Sequence, residues 1–353
     1  MRPTFGTAYD PARNNFDLLR LVLAGLVLWS HSYSLAGTSD PLRRLTGVLE
    51  GGRLGVEGFF VLSGFLVTQS WHRSTSAGTF AVKRALRVFP ALVAAVVLSA
   101  LVIGPFVTER SLAEYFAWSR PWLVFPGIVL HRFLAVPGAF PQNVFPGHVN
   151  ASLWTLRYEL FCYVMVAALG IVTARRRRPA LLAVFAAAWL AALAQPDKGW
   201  FGGAEYWLPH LVSFFVAGML FYELRELVPY SGWTALVAVI GLGAGAAAGR
   251  IDAALPIFGG YLVLAIAFAP GLPAAGVTRY GDLSYGLYVY AYPIQQLALH
   301  AAGGRLDPLA VLAVSLPATL LLAALSWRWI EEPALARKPR SAPASPPAYA
   351  RTG

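Results

Sequence analysis

The stretch NNFDLLRLVLAGLVLWSHSYSL, residues 14–35, decides the fold. From Phe16 onward it is apolar over the length of a bilayer crossing, yet it carries Asp17, Arg20 and His31. A helix needs about 20 mainly apolar residues to cross a bilayer. An ionisable side chain inside one is costly unless the protein itself holds it. A membrane helix with a polar inner stripe satisfies both conditions. In such a helix Arg20 and His31, eleven residues apart, project from one face about 16 Å from each other, with Ala24 and Val27 between them. That stripe should face a bundle interior or a wet cavity.

The rest of the chain extends the pattern. Of its 353 residues 57% are hydrophobic and only 13% charged, with a mean hydropathy of +0.58. Soluble domains carry about a quarter charged residues, so the expected class is an all-α, polytopic membrane bundle. Ten spans are predicted: 16–33, 55–71, 89–107, 154–172, 179–194, 206–223, 233–248, 255–270, 283–300 and 309–330. The stretch 122–136 is read as part of a long loop, because Pro121, Pro126 and Pro137 interrupt it. With ten spans both termini share a side. That side collects 16 of the 28 Lys and Arg, among them Arg2, Arg13, Arg73, Lys83, Arg84, Arg87, the 175–178 arginine run and Lys338; nine lie opposite, and Arg20, Arg157 and Arg328 lie within spans. The bias predicts cytoplasmic termini, and a bacterial inner (plasma) membrane is the expected location. It also accounts for most of the +11 net charge, and no soluble basic module speaks for nucleic acid.

Other features narrow the chemistry. The first hydrophobic run is interrupted by Arg20, which makes it a poor signal peptide. Cys162 is alone and inside a span, so no disulfide framework or redox motif is expected. The six histidines lack metal-ligand spacing, and no metal is expected. GLGAGAAAG (241–249) superficially suggests a dinucleotide loop, but without a strand before it or an acid after it, close helix packing is the better reading. The domain is placed at 1–336, with a Pro-, Ala- and Ser-rich, disordered cytoplasmic tail at 337–353.

Four further stretches carry candidate chemistry. In GRLGVEGFFVLSGFLV, Glu57 begins the second span at about the depth of His31, where a carboxylate would orient an imidazole acting as general base. Gly58, Ser63 and Gly64 there are read as packing residues. In FAVKRALRVFP, Arg84 and Arg87 share a face where the third span begins, and two guanidiniums can grip phosphate oxygens. Lys83 is read as topology alone. In NASLWTLRYELFCYV, Thr155, Glu159 and Tyr163 recur every four residues beside Trp154 and Tyr158, a combination suited to sugar. For Arg20, Glu57 and Glu159 anchoring or ion pairing remains the alternative, for His31 a hydrogen-bonded interfacial place, and for the Arg84–Arg87 pair ordinary positive-inside charge. The last stretch is WIEEPALA, which ends the tenth span and contains Glu331.

In this order, with GDLSYGLYVYAYPIQQ, these segments resemble the acyltransferase-3 family of integral membrane acyltransferases from about Asn15 to Ala336. The resemblance implies O-acylation of sugars and related acceptors from acyl-CoA, acetyl-CoA above all. It carries family positions onto Arg20, His31, Glu57, Arg84, Arg87 and Glu331. One departure is Ala291, where many members have a histidine before the ninth-span proline. The expected arrangement puts Arg20, Arg84 and Arg87 on acyl-CoA, His31 with Glu57 at the chemistry, and Trp154 with Glu159 on a sugar or glycan acceptor. His31 would act as general base or as a transient acyl carrier. The competing class is a transporter or flippase for a lipid-linked glycan or small solute, though the internal repeats common there are missing.

Overall fold

The computed structural model describes residues 3–119, 134–136, 138–173, 176–195, 204–271 and 281–339. Among them are ten long helices: α1 Phe16–Leu35, α2 Gly51–His72, α3 Ala77–Val107, α4 Ala151–Val172, α5 Arg177–Leu193, α6 Ala204–Glu223, α7 Gly232–Ala247, α8 Ile251–Ala267, α9 Ser284–Ala301 and α10 Pro308–Ala336. Each predicted span falls on one of them. Four helices, α1, α3, α4 and α10, are long and apolar enough to cross a bilayer; α7 and α8 are apolar but shorter. Of the rest, α2, α6 and α9 fall short on hydropathy for a physical reason. They bury polar side chains, including Arg53, Glu57, Gln69, His210, Gln295 and Gln296, inside the bundle. The outward faces of α3, α4, α7 and α10 instead expose large apolar residues such as Phe89, Val102, Phe161, Val164, Ile240 and Leu321. That is the pattern of a bundle wrapped in lipid.

Successive helices alternate in direction, so the chain returns to its starting end after every pair. His72 at the end of α2, Arg177 at the start of α5 and Glu223 at the end of α6 meet there, with His72 and Arg177 on Glu223 Oε1 at 2.7 and 3.0 Å. Residue 3 and residue 339 lie at this same end, called the near end below. The far end holds the α1–α2, α3–α4 and α9–α10 connections. There, residues 134–135 pair antiparallel with 148–150, and the loop is tied to α9 by Asn143 Nδ2 on the Gln296 carbonyl at 2.9 Å and Asn150 Nδ2 on the Val289 carbonyl at 2.9 Å. Most of the predicted 122–136 loop, residues 122–133, lies outside the described residues, as do 340–353 of the predicted tail.

Glycine sets the closest helix crossing. A β-carbon on Gly64 of α2 would lie 1.9 Å from the Phe215 carbonyl oxygen of α6, and one on Gly218 would lie 2.1 Å from the Val61 oxygen. Gly58 packs on Leu23, whose Cδ2 would lie 2.8 Å from an added β-carbon, whereas Ser63 lines a cavity. Packing also explains Gly241 and Gly245, which sit under the Phe258 ring and the Ala254 β-carbon.

Two helices depart from their predicted bounds. α3 starts at Ala77, twelve residues early, because Ser76 caps it by accepting the Thr79 N–H at 3.1 Å. Lys83, Arg84 and Arg87 therefore lie within the helix rather than before it. α10 continues to Ala336 through a widened π turn at Trp327–Glu331, just ahead of Pro333. The widened turn carries Glu331 inward, 2% exposed, while Arg328 and Glu332 pair outside at 3.0 Å.

Candidate active site

A narrow central cavity of about 100 Å3 lies between α1, α2, α3, α4 and α9, lined by Arg20, Arg84, Arg87, Glu159, Tyr163 and Tyr288 among others. Below it, toward the near end, a wider mouth of about 460 Å3 shares Arg20, Leu66, Arg84 and Arg87 with the cavity. Six cations border the mouth (Arg20, Arg73, Lys83, Arg84, Arg87 and Lys338) against two carboxylates, Asp17 and Asp282.

The predicted arginines thus converge, but they are held very differently. Arg87 is clamped: its Nη2 donates to Asp282 Oδ2 at 2.5 Å, and Glu331 Oε2 stands 3.7 Å from its Nη1. Glu331 is itself fixed by Ser326 Oγ, which donates to Oε1 at 3.1 Å. Arg20 donates to Asp17 at 2.7 Å and lies 3.5 Å from Asp282. Arg84 has no carboxylate within ion-pair distance among the described residues. Its Nη2 reaches Ser70 Oγ at 3.2 Å, its guanidinium lies 5.9 Å from the Tyr163 ring centre, and its buried Nε has no partner. A buried cation without its counter-ion is a costly arrangement that an anionic ligand would relieve.

Two groups outside the helices feel this field. Burial pushes the Asp282 carboxyl up, but the Arg87 and Arg20 charges and the bonds from Ser284 outweigh it and hold it at about 2. Lys338 is pulled down to about 8 by burial and by the neighbouring Arg84, Arg87 and Arg20 charges. Neither group was singled out as a site residue in the sequence. For Asp282 the signal was present in GDLSYGLY, where an Asp two residues before a Ser at a helix start suggests a cap; Ser284 N–H does donate to Asp282 Oδ1 at 3.2 Å.

His31 is buried at 8% exposure and lies toward the far end. Its ring meets Tyr292 edge-on at 5.5 Å. Tyr292 is one turn beyond Tyr288, which lines the central cavity, so the cavity leads toward His31 without being lined by it.

The expected His31–Glu57 pairing is corrected. Glu57 Oε1 accepts from Arg53 Nε, one turn earlier on α2, and meets His210 Nε2 of α6, both at 2.7 Å. Arg53 also bonds Asp252 of α8. Taking a carboxylate out of water requires a strong partner, and Arg53 at i−4 supplies one. His210 was passed over in the sequence because only metal spacing was sought. Trp154 and Glu159 are also separated. Five residues apart on a helix, they face different directions: Trp154 packs against Trp207 at 4.8 Å and Tyr158 at 5.8 Å, while Glu159 accepts from Tyr163 and faces the arginine cavity.

At the far end, beside the end of α1 at Ala36, lies a groove of about 610 Å3 bordered by Gln142, Arg305 and Asp307. With one cation and one anion it is polar and nearly neutral.

A lipid-wrapped helical bundle with a central, arginine-rich cavity defines an integral membrane protein. The acyltransferase-domain model of the acyltransferase-3 family matches residues 13–328, and the chain belongs to that family. It is 32% identical over 334 residues to an O-acetyl transferase of Shigella phage Sf6, covering 92% of this chain and 96% of that one. It is also 32% identical over 359 residues to nodulation protein 10 of Rhizobium leguminosarum bv. viciae, covering 92% and 93%. No solved structure gives a significant match. The protein is a membrane O-acyltransferase, and the transport reading yields to that class.

Proposed function

We propose that this enzyme moves an acetyl group from cytoplasmic acetyl-CoA to a hydroxyl of a sugar or glycan on the other side of the membrane. In this reading all ten helices cross a bacterial inner membrane, and both termini are cytoplasmic. The observation that carries the proposal is Arg84, a half-buried guanidinium with a buried, unpartnered Nε and no ion pair among the described residues, placed where the mouth narrows into a cavity leading toward His31. Phosphate oxygens would complete it. The printed name of the phage relative supports acetyl as the group and oxygen as the acceptor atom.

The cavity's small volume suits a slim pantetheine arm and a two-carbon acyl group, with the bulk of the donor left in the mouth. His31 takes the proton of the acceptor hydroxyl as its oxygen attacks the thioester carbonyl. The C–S bond breaks, the acetyl group stays on the acceptor oxygen, and the proton passes from His31 to the leaving thiolate. In the covalent variant the imidazole carries the acetyl group between the two steps. Glu331 and Asp282 serve as positioning residues for Arg87, and Glu57 as the residue that fixes α2 against α6. The acceptor's place is the nearly neutral far groove, since an uncharged hydroxyl compound needs hydrogen bonds rather than a field. The test is thiol release from acetyl-CoA by purified protein supplied with candidate glycans. No release with any hydroxyl acceptor, by protein that binds coenzyme A, would overturn the acceptor assignment.

A further inference from the structure

The charged mouth opens sideways into a second hollow of about 790 Å3, between the segment that leads into α1, the end of α2 and the residues after α8. Mouth and lobe share Asp17, Arg20, Gln69 and Arg73, so one extended ligand can occupy both. The sizes separate their roles. Sites that enclose a small molecule run to roughly 300–1,000 Å3. The lobe falls in that range, whereas the central cavity holds only a thin chain.

The walls of the lobe are equally selective. Tyr9, Phe16, Phe268 and Pro270 give it an apolar, aromatic side. Tyr9 is fixed edge-on to Phe16 at 6.0 Å and Phe65 at 5.3 Å, and its hydroxyl accepts from Gln69 Nε2 at 2.7 Å, so that side is rigid before any ligand arrives. The lobe is also lined by Arg13 and Arg73. Neither forms an ion pair among the described residues, although Arg20, on the same lobe, is paired twice over. The lobe's single carboxylate, Asp17, is already bonded to Arg20. An aromatic hollow edged by two uncompensated guanidiniums fits a flat heterocycle bearing a phosphate.

Resting on the donor reading above, we propose that this lobe is the subsite for the adenosine 3′-phosphate end of coenzyme A, with Arg73 and Arg13 on that phosphate. The diphosphate then lies in the mouth near Arg84 and Lys338, and the pantetheine arm enters the central cavity. The lobe thereby selects the nucleotide end of the donor and does nothing to its thioester.

The probes are coenzyme A and dephospho-coenzyme A, which lacks only the 3′-phosphate, titrated against the full chain in detergent. The unaltered protein should bind coenzyme A about tenfold more tightly, the effect expected of charge-assisted bonds to one phosphate. Arg73→Ala, and to a lesser extent the exposed Arg13→Ala, should lower coenzyme A affinity toward that of dephospho-coenzyme A and leave the latter unchanged. Lys338→Ala should weaken both ligands by the same factor. Equal affinity of the unaltered protein for the two ligands would overturn the subsite, as would a common loss for both ligands in the Arg13 and Arg73 variants. No binding of coenzyme A to the unaltered protein would overturn the donor reading and the subsite together.

Discussion

The near and far ends of the bundle are built from the same kinds of residue to opposite effect. At the far end, Arg53, Glu57, His210 and Asp252 neutralise one another inside the packing of α2, α6 and α8. At the near end six cations border one mouth with two carboxylates, and one of them, Arg84, has no ion pair among the described residues. Buried charge therefore serves two purposes here. Ion-paired clusters fasten helices, and a cation with no carboxylate in reach among the described residues is the one open to an anion. Counting charged residues would not distinguish them; counting their partners does.

This contrast can be broken or sharpened by substitution. The largest effect should come from His31→Ala, with turnover falling by about 10²–10⁴, the usual cost of losing a general base. Coenzyme A affinity should stay within about twofold, because the donor is held at the other end. A collapse of donor binding in this variant would erase the division between ends. Next, Glu57→Ala should cost roughly 1–3 kcal/mol of stability, the penalty for leaving buried donors of Arg53 and His210 unsatisfied while Arg53 keeps its bond to Asp252. Thermal unfolding in detergent measures this, and an unaltered transition would show that the far cluster fastens nothing.

Arg84→Ala should raise the KM for acetyl-CoA about ten- to a hundredfold with acceptor KM unchanged, and Arg84→Lys should fall between, since lysine keeps the charge but loses the planar fork. Equal losses in donor and acceptor KM would mean that Arg84 supports the whole cavity rather than the anion. The smallest effect concerns pH. Lys338 is charged below about 8 and neutral above it, so coenzyme A affinity should weaken as pH rises from 7 to 9, by roughly two- to fivefold for a partly exposed charge. Lys338→Met should flatten that slope, and Lys338→Arg should flatten it at the tighter level. A slope that persists in Lys338→Met would assign the titration to another group.

Much of the fold was legible because the bilayer imposes a length and a polarity that sequence records directly. All ten predicted spans fall on helices, including the central α2, α6 and α9, whose polar residues lower their hydropathy. The start of α3 was missed because its first turns face a charged mouth rather than lipid, so the apolar pattern begins late. Within the candidate site, the approach of Arg20, Arg84 and Arg87 followed from their shared depth. Their unequal fates did not, since Asp282 lies 195 residues beyond Arg87 along the chain. For the same reason Glu57 seemed free to serve His31, when its partner on α6 is 153 residues away. Depth can be read from one helix at a time; partnership requires knowing which helices touch.

The N-terminal segment gives the near end a schedule as well as a shape. Phe5 is fully buried, stacked 5.0 Å from Tyr261 and edge-on to Phe268 at 5.0 Å, while its backbone N–H donates to the Val228 carbonyl at 2.9 Å. Those partners emerge from the ribosome more than two hundred residues later, on the order of tens of seconds at common rates of synthesis. This segment must therefore wait, unsettled, until α6 and α8 have been made. The wall of the side lobe is completed only then, so a nascent chain truncated before α8 would contain Arg84 and His31 yet lack a finished place for its donor.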